Sequence, residues 1–337
     1  MRKPQIESIE RALYDDRTIV RMLAMRRTMF VVPTDLVPMV QAAASNAVAA
    51  RERVRLVQWI EASGVAARGD SWLRKAEAAT LEALRAHGPS TAAELAKHVP
   101  LLQKQITVGG GKWQATQGVA ARVMLVLAAQ GHIARGRPRG TWISTQHRWE
   151  PIELWLPEGV GSFGVDDARA KLVTRWLRAF GPATVADVKW WTGWTMGETR
   201  KALAIVDAVE VDLDGIPGIA LADDLETTKA GKPWAALLPA LDPTAMGWTQ
   251  RDWYLGEHRP ALFDRSGNVG PTIWWNGRVV GGWAQRASGE IAPRLLEDVG
   301  KDATAAVTAE AERLEKWLGD RRFTSRFPTP LERELMS

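Results

Sequence analysis

Three arginines recur at alternate positions, Arg135, Arg137 and Arg139, separated by Gly136 and Pro138 and followed by Gly140. A guanidinium is permanently charged and offers a planar fork of donors that matches phosphate oxygens or a guanine edge, so this spacing at a hairpin tip points to nucleic-acid contact. A solvated loop is the alternative reading. Arg26 and Arg27, with Arg21 upstream, flank a short apolar run, and Arg51, Arg53 and Arg55 fall on a helical stretch. Both groups could extend a phosphate track. Lys112 and Trp113 follow Gly109-Gly110-Gly111, a cation and an aromatic ring on a flexible loop suited to stacking on a base.

Other chemistries are excluded by residue type. The 337-residue chain has no cysteine, which removes disulfides, thiol nucleophiles and Cys-ligated metal centres. Its five histidines, His87, His98, His132, His147 and His258, lack the His-x-x-x-His spacing of a metal site, so no metal and no cofactor are expected. Gly159-Val160-Gly161-Ser162-Phe163-Gly164 has dinucleotide-loop spacing without the strand and helix that give it meaning, and reads as a linker. No catalytic residue is assigned; Asp35, Asp242 and Asp264 are the open carboxylate candidates for activating water. No run approaches 18 apolar residues and the N-terminus lacks an apolar signal core, so the expectation is a cytoplasmic, nucleoid-associated monomer without a membrane partner.

The net charge of +5 is unevenly spread. Residues 1–150 carry 22 Lys and Arg against 12 Asp and Glu, and residues 151–337 carry 22 against 27. Such polarity assigns a polyanion partner, double-stranded DNA, to the N-terminal half.

These residues must be positioned by a repeated module. Leu84 to Leu95 aligns with Leu177 to Val188 at an offset of 93, with seven of twelve positions identical. Each copy reads as an amphipathic helix, a Gly-Pro stop and a second helix opened by a capping box, Thr91 with Glu94 and Thr184 with Asp187. A third helix follows in each, marked by Val119, Val123, Val126 and Leu127 in the first and opened by Thr195 with Glu198 in the second. A hairpin then closes each copy: Ile133 to Arg135 and Thr141 to Ile143 about the Gly136–Gly140 turn, and Val209 to Leu213 and Ile219 to Leu221 about Asp214-Gly215.

Three helices and a hairpin make a winged helix, so the expected fold class is α+β and multi-domain, with tandem winged-helix units before a small β-rich C-terminal domain. Residues 1–65 read as a partial first unit with a bridging helix, in which Ile19 to Leu23 is a helix and Thr28 to Val32 a strand. Residues 66–150 are the second unit with a basic wing, 151–232 the third with an acidic wing, and 233–337 the C-terminal domain, where Asn276-Gly277 joins two strands.

Met25-Arg26-Arg27-Thr28-Met29-Phe30-Val31-Val32-Pro33, the basic wing, and the segments 233–243 and 270–283 together resemble the bacterial winged helix DNA-binding domain-containing protein family. That family is similar to the AlkZ/YcaQ-type DNA glycosylases, which excise alkylated bases and unhook crosslinks. The resemblance implies three tandem winged helices and a C-terminal β-rich domain. The glycosylases' Gln-x-Gln motif lies upstream of where this chain starts, and Gln103-Lys104-Gln105 matches only as a string, with a charged middle residue. Where the glycosylases tend to read Arg-Gly-Thr-x-His, this chain has Arg26-Arg27-Thr28-Met29-Phe30. The leading expectation is therefore a tandem winged-helix DNA-binding protein acting in DNA repair, and the alternatives are a DNA glycosylase and a transcription regulator or protein-interaction scaffold.

Overall fold

The structure, a computed structural model, describes residues 5–111, 114–140, 144–229, 231–323, 325 and 327–337. It is an α+β fold of helices and small antiparallel sheets that divides into two compact units, 1–176 with 192–207 and 177–191 with 208–337.

The first unit opens with a hairpin, Ile19–Leu23 against Met29–Pro33, with Val20 opposite Val32. The helix expected over residues 19–23 is thus a strand. Five residues are too few to show a helical period, and β-branched Ile19 and Val20 suit the pleated surface that residues 29–33 supply. Val37–Val40, a π turn over Gln41–Ser45 and Asn46–Ala62 form one long helical run. Leu56 and Ile60 on its last turns enter the core of the following module.

That module runs Gly69–His87, Ala92–His98, Ala120–Ala129 and the hairpin Ile133–Pro138 with His147–Pro151. Thr91 and Glu94 complete the reciprocal capping box. A second, smaller hairpin, Gln105–Val108 with Ala115–Gly118, is inserted between the second and third helices. Leu73, Leu84, Leu95, Val123, Leu127 and Trp149 close the core. Ser90 bridges Trp149, adding a third strand segment to the hairpin.

In the second copy Ala183, 93 residues after Ser90, bridges Ile219 in the same way. Its hairpin, Ala208–Leu213 with Ile216–Leu221, turns on Asp214 and Gly215, both left-handed as a type I′ turn requires.

The second unit contains a four-stranded antiparallel sheet of Ala235–Leu238, Thr272–Trp275, Arg278–Gln285 and Ile291–Leu295. Strand alternation sends Ile273 and Val280 into a cluster with Val307 of helix Gly300–Leu318, and Trp274 and Val279 into one with Leu331 and Leu335 of helix Pro330–Met336. Asp187, nearly fully buried, ties the segment after Ala183 to this unit. One oxygen accepts from the Thr184 N–H and hydroxyl, the other from the Thr249 and Gln250 N–H groups at 2.8 and 3.0 Å. Arg251 beside it is sandwiched by Trp190 and Phe263.

Candidate nucleic-acid interface

The first hairpin reverses at Met25–Arg27, where Arg26 and Arg27 both take left-handed backbone, φ 52° and 61°. Each such residue costs about 1–2 kcal/mol against its ordinary conformation, and the glycosylase motif that the sequence resembles has Gly in place of Arg27. The turn is closed by the Ala24 N–H donating to Thr28 O at 2.9 Å. It delivers Arg27 to helix Asn46–Ala62, where its Nε lies 2.8 Å from Glu52, a carboxylate only 4% exposed.

Glu52 also accepts from Arg55 Nη1 at 2.8 Å. Arg122, in the first turn of Ala120–Ala129, lies over the Trp59 ring at 5.2 Å. Burial, then repulsion from Arg27 and Arg55, hold its guanidinium below the usual arginine value, with Glu52 opposing. Two guanidiniums thus share one carboxylate, and a third stands within reach of their charge. Glu52→Gln should leave Arg27 and Arg55 without their anion, destabilise the fold by about 1–3 kcal/mol, and tighten duplex binding because a competitor for the arginines is gone. Denaturant melts and fluorescence-polarisation titrations check both signs.

The same turn borders a narrow cleft lined by Arg26, Arg51, Arg169, Gly193, Trp194 and Glu198. Trp194 donates its indole N–H to Ala43 O at 3.0 Å, a carbonyl in the π turn, and so fastens this wall. Arg169 donates to Glu198 at 2.6 Å and stacks on Trp194 at 5.4 Å. At Gly193, φ 74°, a Cβ would stand 3.2 Å from Arg26 Cγ, so only glycine lets the two walls approach. Arg26-Arg27 and Arg51-Glu52 join the cleft to the Glu52 cluster, giving six arginines against two carboxylates. Low-dielectric walls lined by one sign of charge concentrate its field.

The sequence-predicted residues are placed unevenly. Arg26 and Arg27 are central. Arg53 is spent on Asp70 and Glu77. Arg135 and Arg137 lie within strand Ile133–Pro138, not at the tip, because pairing continues to His147. The expected return strand 141–143 and the pair Lys112 and Trp113 lie outside the described residues. Arg137 lies over Tyr14 at 4.9 Å and is bound to Glu10 and Asp15. Arg139, 62% exposed, is 3.6 Å from Glu94. Arg122 and Arg169 were not singled out from sequence; the signal available for Arg122 was its place in the first turn of the module's third helix.

Burial, then Arg21 and Arg135, push His147 down to about 4. It is therefore neutral at pH 7, while the unfolded chain's histidine titrates near about 6.5. Above that pH neither state is charged; below it only the unfolded state takes the proton, so stability should fall between pH 6.5 and about 4 and level off beneath. His147→Asn should flatten that part of a pH-dependent denaturation series.

Among the described residues no helix is long and apolar enough to cross a membrane, and no group of three or more His, Asp or Glu could hold a metal. Repeated helix and hairpin modules thus carry an arginine-rich cleft. The chain belongs to the AlkZ-like DNA glycosylase family, whose model, described as DNA glycosylase AlkZ-like, matches residues 1–317. Among solved structures, Streptomyces sahachiroi DNA glycosylase AlkZ superposes with a TM-score of 0.71 at 21% identity, over 96% of this chain and 85% of that one. No curated protein sequence matches it.

Proposed function

We propose that this chain binds duplex DNA in a repair role through the surface of Arg26, Arg27, Arg51, Arg55, Arg122 and Arg169. The observation carrying this reading is the pairing of Arg27 and Arg55 with the single carboxylate of Glu52, with Arg122 repelled by both. Phosphates would supply the missing negative charge. Exposed Arg139 extends the track, with Arg135 and Arg137 behind it, and Lys112 and Trp113, outside the described residues, are proposed as further contacts. The modules act as tandem winged helices, a partial one in 1–65, then 66–150 and 151–232, followed by the β-rich domain 233–337; the two matching strand bridges support this division. Titration of a labelled duplex at several salt concentrations tests the reading. For six phosphate contacts the log–log slope should be about −5, and a slope near zero would defeat it.

A second reading, excision of a damaged base, is favoured by the family match over residues 1–317. It requires the base to be turned out of the duplex and its glycosidic bond to be cut by an activated water. Incubation with alkylated and crosslinked duplexes should then release free base above the uncatalysed rate, and the absence of release from both would leave binding alone.

A further inference from the structure

Beneath the second module's hairpin lies a cationic group outside the cleft. Arg21, on strand Ile19–Leu23, donates Nη2 to Tyr14 Oη at 2.7 Å and to Gly136 O at 3.1 Å. Arg135, next to Gly136, stacks on Trp149 at 5.5 Å. His147 is two residues before Trp149 on the paired strand. The Nε atoms of Arg21 and Arg135 and Nδ1 of His147 are all buried and have no hydrogen-bond partner.

The charge balance is equally one-sided. Arg21 repels the charge of Arg135, and both disfavour a proton on His147. Nearby carboxylates are engaged elsewhere: Glu150 with Arg17, and Glu10 and Asp15 with Arg137. Among the described residues no Asp or Glu pairs with either Arg21 or Arg135. Buried charge is ordinarily retained only when paired, and the partner chemistry that matches two guanidiniums and a ring nitrogen is a multi-oxygen anion.

We infer that Arg21, Arg135 and His147 form a binding site for one phosphate group. Its source as a backbone phosphodiester rests on the DNA reading above, whereas free phosphate requires only this site.

The test uses the full chain, as wild type, Arg135→Met and Arg21→Met. Thermal melts compare sodium phosphate with sodium chloride at matched ionic strength. Wild type should melt higher in phosphate and both variants should not. In chloride, Arg135→Met should be as stable as wild type or more so, since a half-buried charge without an acidic partner has been removed; a residue serving only to pack on Trp149 would lose stability there. Duplex titrations form the second arm. If a backbone phosphate occupies the site, each variant should bind roughly tenfold more weakly, with the salt slope reduced by about 0.9. Phosphate stabilisation with unchanged duplex binding upholds the site and assigns it to free phosphate. Equal melting of wild type and variants in the two salts, together with unchanged duplex binding, overturns the inference. Absence of duplex binding by wild type would defeat the DNA reading while the melts still decide the site.

Discussion

Replacing Arg51, Arg55 and Arg122 together by Ala should weaken duplex binding by roughly 10²–10³-fold near 0.1 M salt and reduce the salt slope by about 2.7. The three side chains reach the surface from two helices; Arg55 shares one carboxylate with Arg27, and Arg122 is repelled by both. Each lost cation leaves one phosphate's counterions in place, so the deficit should shrink as salt rises. Stability should change far less, because Arg51 and Arg55 are exposed and Arg122 loses mainly its stack on Trp59. An equivalent change at Arg265, Arg286 and Arg313 of the second unit provides the comparison. If it weakens binding as much, or if the first variant leaves the slope untouched, the interface has been misplaced.

The largest stability effect is expected at Asp187. Asp187→Ala removes the capping of Thr184 and strands two loop N–H groups, those of Thr249 and Gln250. A cap is worth about 1 kcal/mol and each part-buried hydrogen bond lost about 1 kcal/mol, so a loss of roughly 3 kcal/mol should appear in denaturant unfolding. Glu94, at the equivalent position of the first copy, caps Thr91 and lies 3.6 Å from Arg139, with no second pair of backbone N–H groups on it among the described residues. Glu94→Ala should therefore cost only about 1 kcal/mol. Equal costs at the two positions would show that Asp187 does no more than cap its helix.

The contrast shows where sequence is informative. The capping boxes at Thr91, Thr184 and Thr195 depend on residues three apart and are legible, as is the Asn276-Gly277 reversal that sets the strand Arg278–Gln285, whereas the box of Thr329 with Glu332 has the same spacing and was missed. The second set of bonds on Asp187 comes from residues 62 and 63 positions away, beyond any local pattern. Residues 19–23 were misassigned because the turn that makes them a strand contains Arg26 and Arg27 in left-handed backbone, where turn chemistry favours Gly or Asn. Gly109-Gly110-Gly111 announced a loop, but its flanks Gln105–Val108 and Ala115–Gly118 are too short to have announced strands. In the candidate site the charges were visible and their partners were not: Glu10 and Asp15, which occupy Arg137, lie 127 and 122 positions from it. Arg122 was hidden among apolar neighbours whose spacing speaks only for a core.

Those same distant pairings set an order of events during synthesis. The Trp155 indole N–H closes onto Leu13 O, and Arg137 onto Asp15, so Leu13 and Asp15 lack these partners until 142 and 122 further residues have been made. At roughly 5–20 residues per second, ribosomal elongation leaves that stretch waiting on the order of ten seconds. Throughout that interval Leu13, buried in the finished protein, is without its packing neighbours near Trp155. The stretch around Leu13 is therefore open to a chaperone or a protease until the hairpin arrives.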